Sequence, residues 1–110
     1  MLIINTTFFV ADTHLNPFLK WINDVYVPKM MKTEHFSANR FYQILSQKEQ
    51  DSTGYSLQFE FATPELYQHW KNFYQSELQE ELKLLFSENV LSFSTLLEEM
   101  RKRGDKETSF

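Results

Sequence analysis

Three histidines are the side chains of this chain best suited to acid–base or metal chemistry. His14 precedes a predicted helix start, His35 lies in a predicted connection, and His69 follows Glu65 by one helical turn. A metal site needs two or three converging ligands, often four residues apart on a helix. Because no second histidine has that spacing, we expect no metal site and no catalytic residue. We interpret His69 as part of a surface ion pair or as a partly packed ring.

Other cofactor chemistry finds little support in the composition. Hard cations take oxygen ligands, and four acidic side chains offer them, namely Glu77, Glu80, Glu81 and Glu88. Lys83 lies among them, and helical spacing spreads them around a solvated face. The only two glycines are far apart, which excludes a glycine-rich phosphate loop, and the absence of cysteine excludes thiolate sites. We therefore expect no cofactor.

A group of aromatic side chains beside one arginine is the remaining candidate for ligand binding. These aromatic residues lie on elements that should meet between helices and sheet, where an apolar pocket with a few polar tips could form. Arg40, next to them, could hold an anion. The same aromatic set would serve equally as a core whose hydroxyls reach the surface. The ligand-binding candidates are Trp21, Tyr26, Arg40, Tyr42, His69 and Trp70.

Four segments have the pattern of β-strands, and two helical stretches separate them. The clearest is Tyr55–Phe61, in which apolar and polar residues alternate strictly, as in a strand with one buried face. The other predicted strands are Leu2–Val10, Arg40–Leu45 and Val90–Thr95.

Both helices have recognisable starts and apolar stripes. The first begins near Pro17, and Pro28 is expected to end or kink it. Its core-facing stripe is predicted to be Phe18, Trp21, Ile22 and Val25. The second runs from Pro64 to Phe86, with a bend or break near residues 75–77, because its stripe shifts there. The two parts of that stripe are Leu66, Trp70, Phe73 and then Leu78, Leu82, Leu85.

The resulting βαββαβ order predicts an α+β, ferredoxin-like domain: a four-stranded antiparallel sheet with two helices on one face. The other face should be too apolar for water and too polar for an ordinary core, and pairing with a second copy would cover it. We therefore predict a homodimer. The expected dimer face comprises Ile3, Asn5, Thr7, Phe9, Ser56, Gln58 and Glu60.

Several short motifs resemble one bacterial family, the domain of unknown function forty-two eighty-six. The resemblance covers roughly residues 1–100. It implies a ferredoxin-like domain of the dimeric α/β barrel type and brings no established reaction. The motifs are Ile4-Asn5-Thr6-Thr7-Phe8, Trp21-Ile22 leading to Val25-Tyr26-Val27-Pro28, Arg40 followed by Ile44-Leu45-Ser46, Tyr55-Ser56-Leu57-Gln58, and Phe93 to Leu97.

Length and charge limit the function further. We predict a single domain over residues 1–100 and a polar, frayed tail over residues 101–110. A net charge of −4 argues against nucleic acid, whose binding depends on Lys and Arg. The start of the chain has neither the pattern of a signal peptide nor that of a membrane span, so we expect a cytoplasmic protein with no membrane partner.

Two functions from different classes remain. The first is a non-enzymatic homodimeric binding or interaction module that holds a small apolar or aromatic ligand or acts in a protein complex. The alternative is a cofactor-independent enzyme, an oxygenase or isomerase, that acts on a small aromatic substrate. General acid–base catalysis needs a positioned group with a tuned pKa, and the histidines do not have the expected placement. We therefore favour the binding module.

Overall fold

The computed structural model describes residues 1–46 and 50–101. Its four strands form one antiparallel sheet in the order β2-β3-β1-β4. This is the predicted βαββαβ arrangement, with β1 at the centre between β3 and β4. The predicted tail lies outside the described residues from 102 onwards, and the single domain over residues 1–100 stays a prediction. The strands are β1 (Leu2–Ala11), β2 (Phe36–Ile44), β3 (Ser52–Phe61) and β4 (Val90–Glu98).

Each of the two predicted helical stretches is divided into segments. The first comprises α1 (Leu15–Trp21), a π-helical turn (Ile22–Tyr26) and α2 (Val27–Met31). The second comprises α3 (Leu66–Phe73) and α4 (Gln75–Phe86). The break between α3 and α4 lies at Tyr74, one residue before the predicted position. Short 3₁₀ turns precede α1, at Asp12–His14, and β4, at Ser87–Asn89.

Pro28 does not end the first helical stretch, so of the two predicted outcomes, an end or a kink, the first is wrong. It lies at the start of α2, directly after the π-helical turn. A proline inside a regular helix lacks its N–H donor and its ring crowds the carbonyl four residues earlier. The wider π turn, in which the Val27 N–H donates to the Ile22 carbonyl five residues back, precedes the proline. We infer that this local widening lets the helical path continue to Met31.

The π turn also changes which residue faces the core. Val25, predicted to be in the core stripe, is 48% exposed, whereas its neighbour Tyr26 is 5% exposed. A π turn inserts one extra residue, so the core-facing position moves by one. The α4 prediction fails in a similar way, because Leu85 is exposed and Phe86 is buried. Phe73, at the end of α3, is exposed as well.

The core fills the space between the described helices and one face of the sheet. Alternate residues of the two central strands point into it, Ile4 and Phe8 from β1 with Leu57 and Phe59 from β3. Phe18 of α1 lies among them, with its ring centroid 5.1 Å from that of Phe8. The described helices therefore leave the opposite face of the sheet uncovered.

Candidate functional site

We call the uncovered side of the sheet the outer face, and all seven residues of the predicted dimer face lie on it. Residues paired directly across an antiparallel sheet point to the same side. The strand register pairs Ile3 with Glu60, Asn5 with Gln58, Thr7 with Ser56, and Phe9 with Gly54. The grouping expected from sequence is therefore found in the structure, while the dimer itself stays a prediction.

A row of hydrogen-bonded polar side chains crosses the middle of the outer face. The Ser56 hydroxyl donates to Asn5 Oδ1 at 2.5 Å, and Gln58 Nε2 donates to the same oxygen at 3.4 Å. Asn5 Nδ2 in turn donates to Thr7 Oγ1 at 3.3 Å. These groups satisfy one another, so the centre of the face is polar without being charged.

Strand β4 adds apolar side chains to the outer face that the sequence prediction did not include. Leu91 and Phe93 are 62% and 54% exposed and pair with Phe9 and Thr7, respectively. The Phe93 ring centroid lies 6.3 Å from that of Phe9. Leu97 pairs with Ile3 on the same face and is 39% exposed. The alternation of apolar and polar residues from position 91 to 95 was the signal that could have identified them.

Arg40 and Tyr42 also lie on the outer face, not beside the buried aromatic residues as predicted. They pair with Gln58 and Ser56, and Tyr42 is half exposed. The Arg40 guanidinium donates to Glu60 Oε1 at 2.8 Å, and this hydrogen bond raises the pKa of Arg40. The anion that Arg40 holds in this structure is therefore the Glu60 carboxylate, and the six ligand-binding candidates do not form one pocket.

Three of those candidates, Trp21, Tyr26 and Trp70, belong to the core. The Trp21 and Tyr26 rings stack with centroids 5.0 Å apart, and the Tyr26 ring meets Phe59 edge-on at 6.2 Å. Trp70 meets Phe61 in the same way at 6.1 Å. Burial, followed by the nearby Glu81 and Glu77 carboxylates, raises the pKa of Tyr26 well above its usual range. These aromatic side chains fill the interior instead of lining an open cavity.

The sixth candidate, His69, contacts another histidine, which the sequence did not indicate. His35, 7% exposed, lies between α2 and β2, and His69 lies on the exposed side of α3. His35 Nε2 and His69 Nδ1 are 2.5 Å apart, and the two rings stack with centroids 4.7 Å apart. Within the described chain, His69 forms no ion pair with Glu65, so the partly packed ring is the interpretation that holds.

This pair does not have the geometry of a metal centre. Two imidazole nitrogens that bind a tetrahedral zinc ion, each about 2.0–2.1 Å from it, lie roughly 3.4 Å apart. The nitrogens of the pair are nearly 1 Å closer than that, the separation of a hydrogen bond. No third His, Cys, Asp or Glu joins them to form a possible metal-binding group within residues 1–46 and 50–101.

One protein-family model matches nearly the whole chain. The model of the family described as "Domain of unknown function (DUF4286)" matches residues 1–100. The chain belongs to this family. The resemblance expected from the short sequence motifs is thereby confirmed. None of the curated proteins matches the chain.

Solved structures similar to this family member support the fold. HapK from Hahella chejuensis aligns with a TM-score of 0.65 at 10% identity, covering 96% of this chain and 98% of that one. A dimeric ferredoxin-like protein from an uncultured marine organism gives 0.62 at 15% identity, with 94% and 99% covered. A second such protein, also from an uncultured marine organism, gives 0.65 at 11% identity, with 93% and 97% covered.

These likenesses confirm the ferredoxin-like α+β fold, and at such low identity they show the fold alone. The element order and the sheet order of this family member agree with that class. None of the helices in the two described ranges combines the length and apolar character needed to cross a bilayer.

Proposed function

We propose that this protein is a homodimeric binding or interaction module in which two copies pack through their outer faces. The observation that supports this proposal is the open sheet face itself. It carries large exposed apolar side chains beside a row of polar side chains that hydrogen-bond to one another. A sheet face of this composition is unfavourable in water, because apolar patches on a monomer are usually small.

The size of the outer face is appropriate for a stable interface. Four strands about 4.8 Å apart and nine residues long, at about 3.3 Å per residue, cover roughly 600 Å² in projection. Specific protein pairs bury about 800 Å² on each partner. Protruding side chains such as Phe93 and Leu91 increase the contact area beyond the projected value.

The charge distribution also permits contact between identical copies. The chain has a net charge of −4, yet the charged side chains Arg40 and Glu60 on the outer face neutralise each other in an ion pair. In a two-fold dimer the same patch meets itself, so an unpaired charge near the axis would face its own copy. The neutral polar row around Asn5 avoids that repulsion and offers hydrogen bonds.

Two of the similar solved structures are described as dimeric ferredoxin-like proteins. Their fold matches this chain, and their description supports the second copy as the occupant of the outer face. A small aromatic ligand or substrate would need an open aromatic pocket, whereas Trp21, Tyr26 and Trp70 are buried. The geometry therefore favours association between copies over both small-ligand binding and catalysis. A cytoplasmic location stays a prediction of the sequence.

Light scattering coupled to gel filtration tests the proposal. At micromolar concentration the wild-type protein should have twice the chain mass of 13.2 kDa. Phe93→Glu and Leu91→Glu should each shift the protein toward the monomer, because each places a carboxylate in the interface without removing a core side chain.

Leu84→Glu is the matched control. Leu84 is 86% exposed on α4, in the helical layer and away from the outer face. This variant should remain dimeric. A wild-type protein that stays monomeric at every concentration, or a Leu84→Glu variant that dissociates as readily as Phe93→Glu, would refute the proposed interface.

A further inference from the structure

The two histidines that meet in this structure come from separate elements. His35 is the residue before β2, and its backbone carbonyl accepts a hydrogen bond from the Ala62 N–H at 2.8 Å, which fixes it to the end of β3. His69 lies on α3, a helix of only eight residues. Their side-chain contact therefore links α3 directly to the edge of the sheet.

Counting protons shows that the buried Nδ1 of His35 can stay without a hydrogen in this contact only when both rings are neutral. One hydrogen lies between His35 Nε2 and His69 Nδ1, which are 2.5 Å apart. The other ring nitrogen of His35, Nδ1, is buried and has no hydrogen-bond partner among residues 1–46 and 50–101. The favourable arrangement has Nε2–H of His35 donating to His69, with Nδ1 of His35 carrying no hydrogen. His69 then carries its own hydrogen on Nε2, on the exposed side of the ring.

Each way of adding a proton to the histidine pair creates an unfavourable contact. If His35 is protonated, its Nδ1 becomes a buried N–H donor without an acceptor. If His69 is protonated at Nδ1, two N–H groups point at each other, or the hydrogen of His35 must move to Nδ1 and be stranded there. If both rings are protonated, two positive charges lie in contact.

In the part of the chain that the structure describes, no carboxylate acts on the pKa of His35. Tyr74, between α3 and α4, is a titratable side chain packed on the pair, with centroids 5.4 Å from His35 and 6.3 Å from His69. Phe36 of β2 and Phe73 of α3 cover the rings from other sides. Within the described residues, neither imidazole forms an ion pair with a carboxylate, although Glu34 and Glu65 are close in sequence.

We propose that His35 and His69 form a pH-sensitive latch, which holds α3 against the start of β2 when both rings are neutral and releases it when the pair is protonated. Burial and then the neighbouring His69 lower the pKa of His35 from its ordinary value of 6.5. The unfolded chain therefore binds more protons than the folded chain in this pH range. The stabilisation is present above pH 6.5 and is lost as the pH falls through the lowered pKa.

Hydrogen exchange of the α3 amides, followed by mass spectrometry with EDTA present, tests the latch. After correction for intrinsic exchange, protection of α3 in the wild-type protein should fall by up to about tenfold for each pH unit between 6.5 and the lowered pKa of His35. The double variant His35→Gln/His69→Asn keeps a donor and an acceptor at the equivalent positions and has no titrating ring in the pair. It should retain the same α3 protection at pH 7.5 and pH 5.5.

His14→Gln serves as the control, since His14 is on the surface beside Thr13 and away from the pair. It should lose α3 protection at low pH as the wild-type protein does. Unchanged wild-type protection between pH 7.5 and 5.5, or a loss that persists in the double variant, would overturn the proposal.

NMR titration of the wild-type imidazoles supplies a test that does not depend on the variants folding. The His35 signals should titrate below pH 6.5, because burial and the neighbouring ring lower the pKa of His35. Titration of His35 at the ordinary histidine pKa would exclude the latch.

Discussion

Replacing Tyr26 and Val25 separately by alanine tests the most specific feature of the first helical stretch, the register change at its π turn. Tyr26 is 5% exposed, stacks on Trp21 at 5.0 Å and meets Phe59 at 6.2 Å. Truncation of a large aromatic core residue to alanine costs about 3–5 kcal/mol of unfolding free energy. We therefore expect Tyr26→Ala to lose about that much.

Val25, the neighbouring residue, should behave differently. It is 48% exposed, and full burial of a valine side chain is worth roughly 1.5–3 kcal/mol. The half-buried side chain therefore contributes about 1 kcal/mol, and the higher helix propensity of alanine offsets up to about 0.5 kcal/mol of the loss. Val25→Ala should change the unfolding free energy by less than about 1 kcal/mol.

Urea denaturation followed by far-UV circular dichroism measures both values, at one protein concentration so that dimerisation affects all variants equally. Tyr26→Phe is the matched control, because it keeps the buried ring and removes only the hydroxyl, so it should destabilise the protein far less than Tyr26→Ala. If Val25→Ala were as destabilising as Tyr26→Ala, the regular helical register predicted from the sequence would be right and the π turn would be wrong.

Three further predictions concern the core, the buried phenol and the polar row. Trp21→Ala should cost about 3–5 kcal/mol and Pro28→Ala clearly less, because only the former empties a core position; urea melts compare them. Burial raises the pKa of Tyr26, so the neutral phenol should stabilise the fold fully at pH values below the ordinary tyrosine pKa of about 10. This stabilisation should be lost as the pH rises above about 10. Absorbance at 295 nm should show a tyrosine that ionises only as the protein unfolds, and Tyr26→Phe should remove that signal. Asn5→Ala removes the oxygen that accepts from both Ser56 and Gln58, so it should lower the unfolding free energy by about 1–2 kcal/mol. Urea denaturation measures this loss. If the unfolding free energy did not change, water would be replacing the Asn5 acceptor.

Residues of the outer face could be predicted from the sequence, because successive side chains of a strand point to opposite faces of the sheet. Alternation in β1 and β3 assigned Asn5, Thr7, Ser56 and Gln58 to the side away from the helices, and the register pairs Asn5 with Gln58 and Thr7 with Ser56. The predicted positions of Arg40 and Tyr42 were wrong, because the residues of β2 do not alternate strictly between apolar and polar and so do not show which face each one occupies. Their pairing partners Gln58 and Ser56 show that they belong to the outer face.

Core positions on the helices were less predictable from period alone. A regular helix places Val25 one turn after Trp21, on the same side. The π turn breaks that regularity, and nothing in the residue types from 22 to 26 marks it except the proline that follows. Similarly, the break at Tyr74 resets the helical register, so Phe73 and Leu85 are exposed although both fit an apolar stripe.

The order of elements, the family and the two faces of the central strands could be predicted from the residues alone, because period, turn residues and short motifs are local properties of the chain. Packing brings His35 to His69, which are separated by 34 residues. Their contact depends on how α3 packs beside the β2 edge, and no spacing in the chain encodes that distance. The same holds for the ion pair between Arg40 and Glu60, which depends on the register of β2 against β3. Contacts between distant segments are set by packing, so local patterns identified the outer face while the fold alone created the histidine pair.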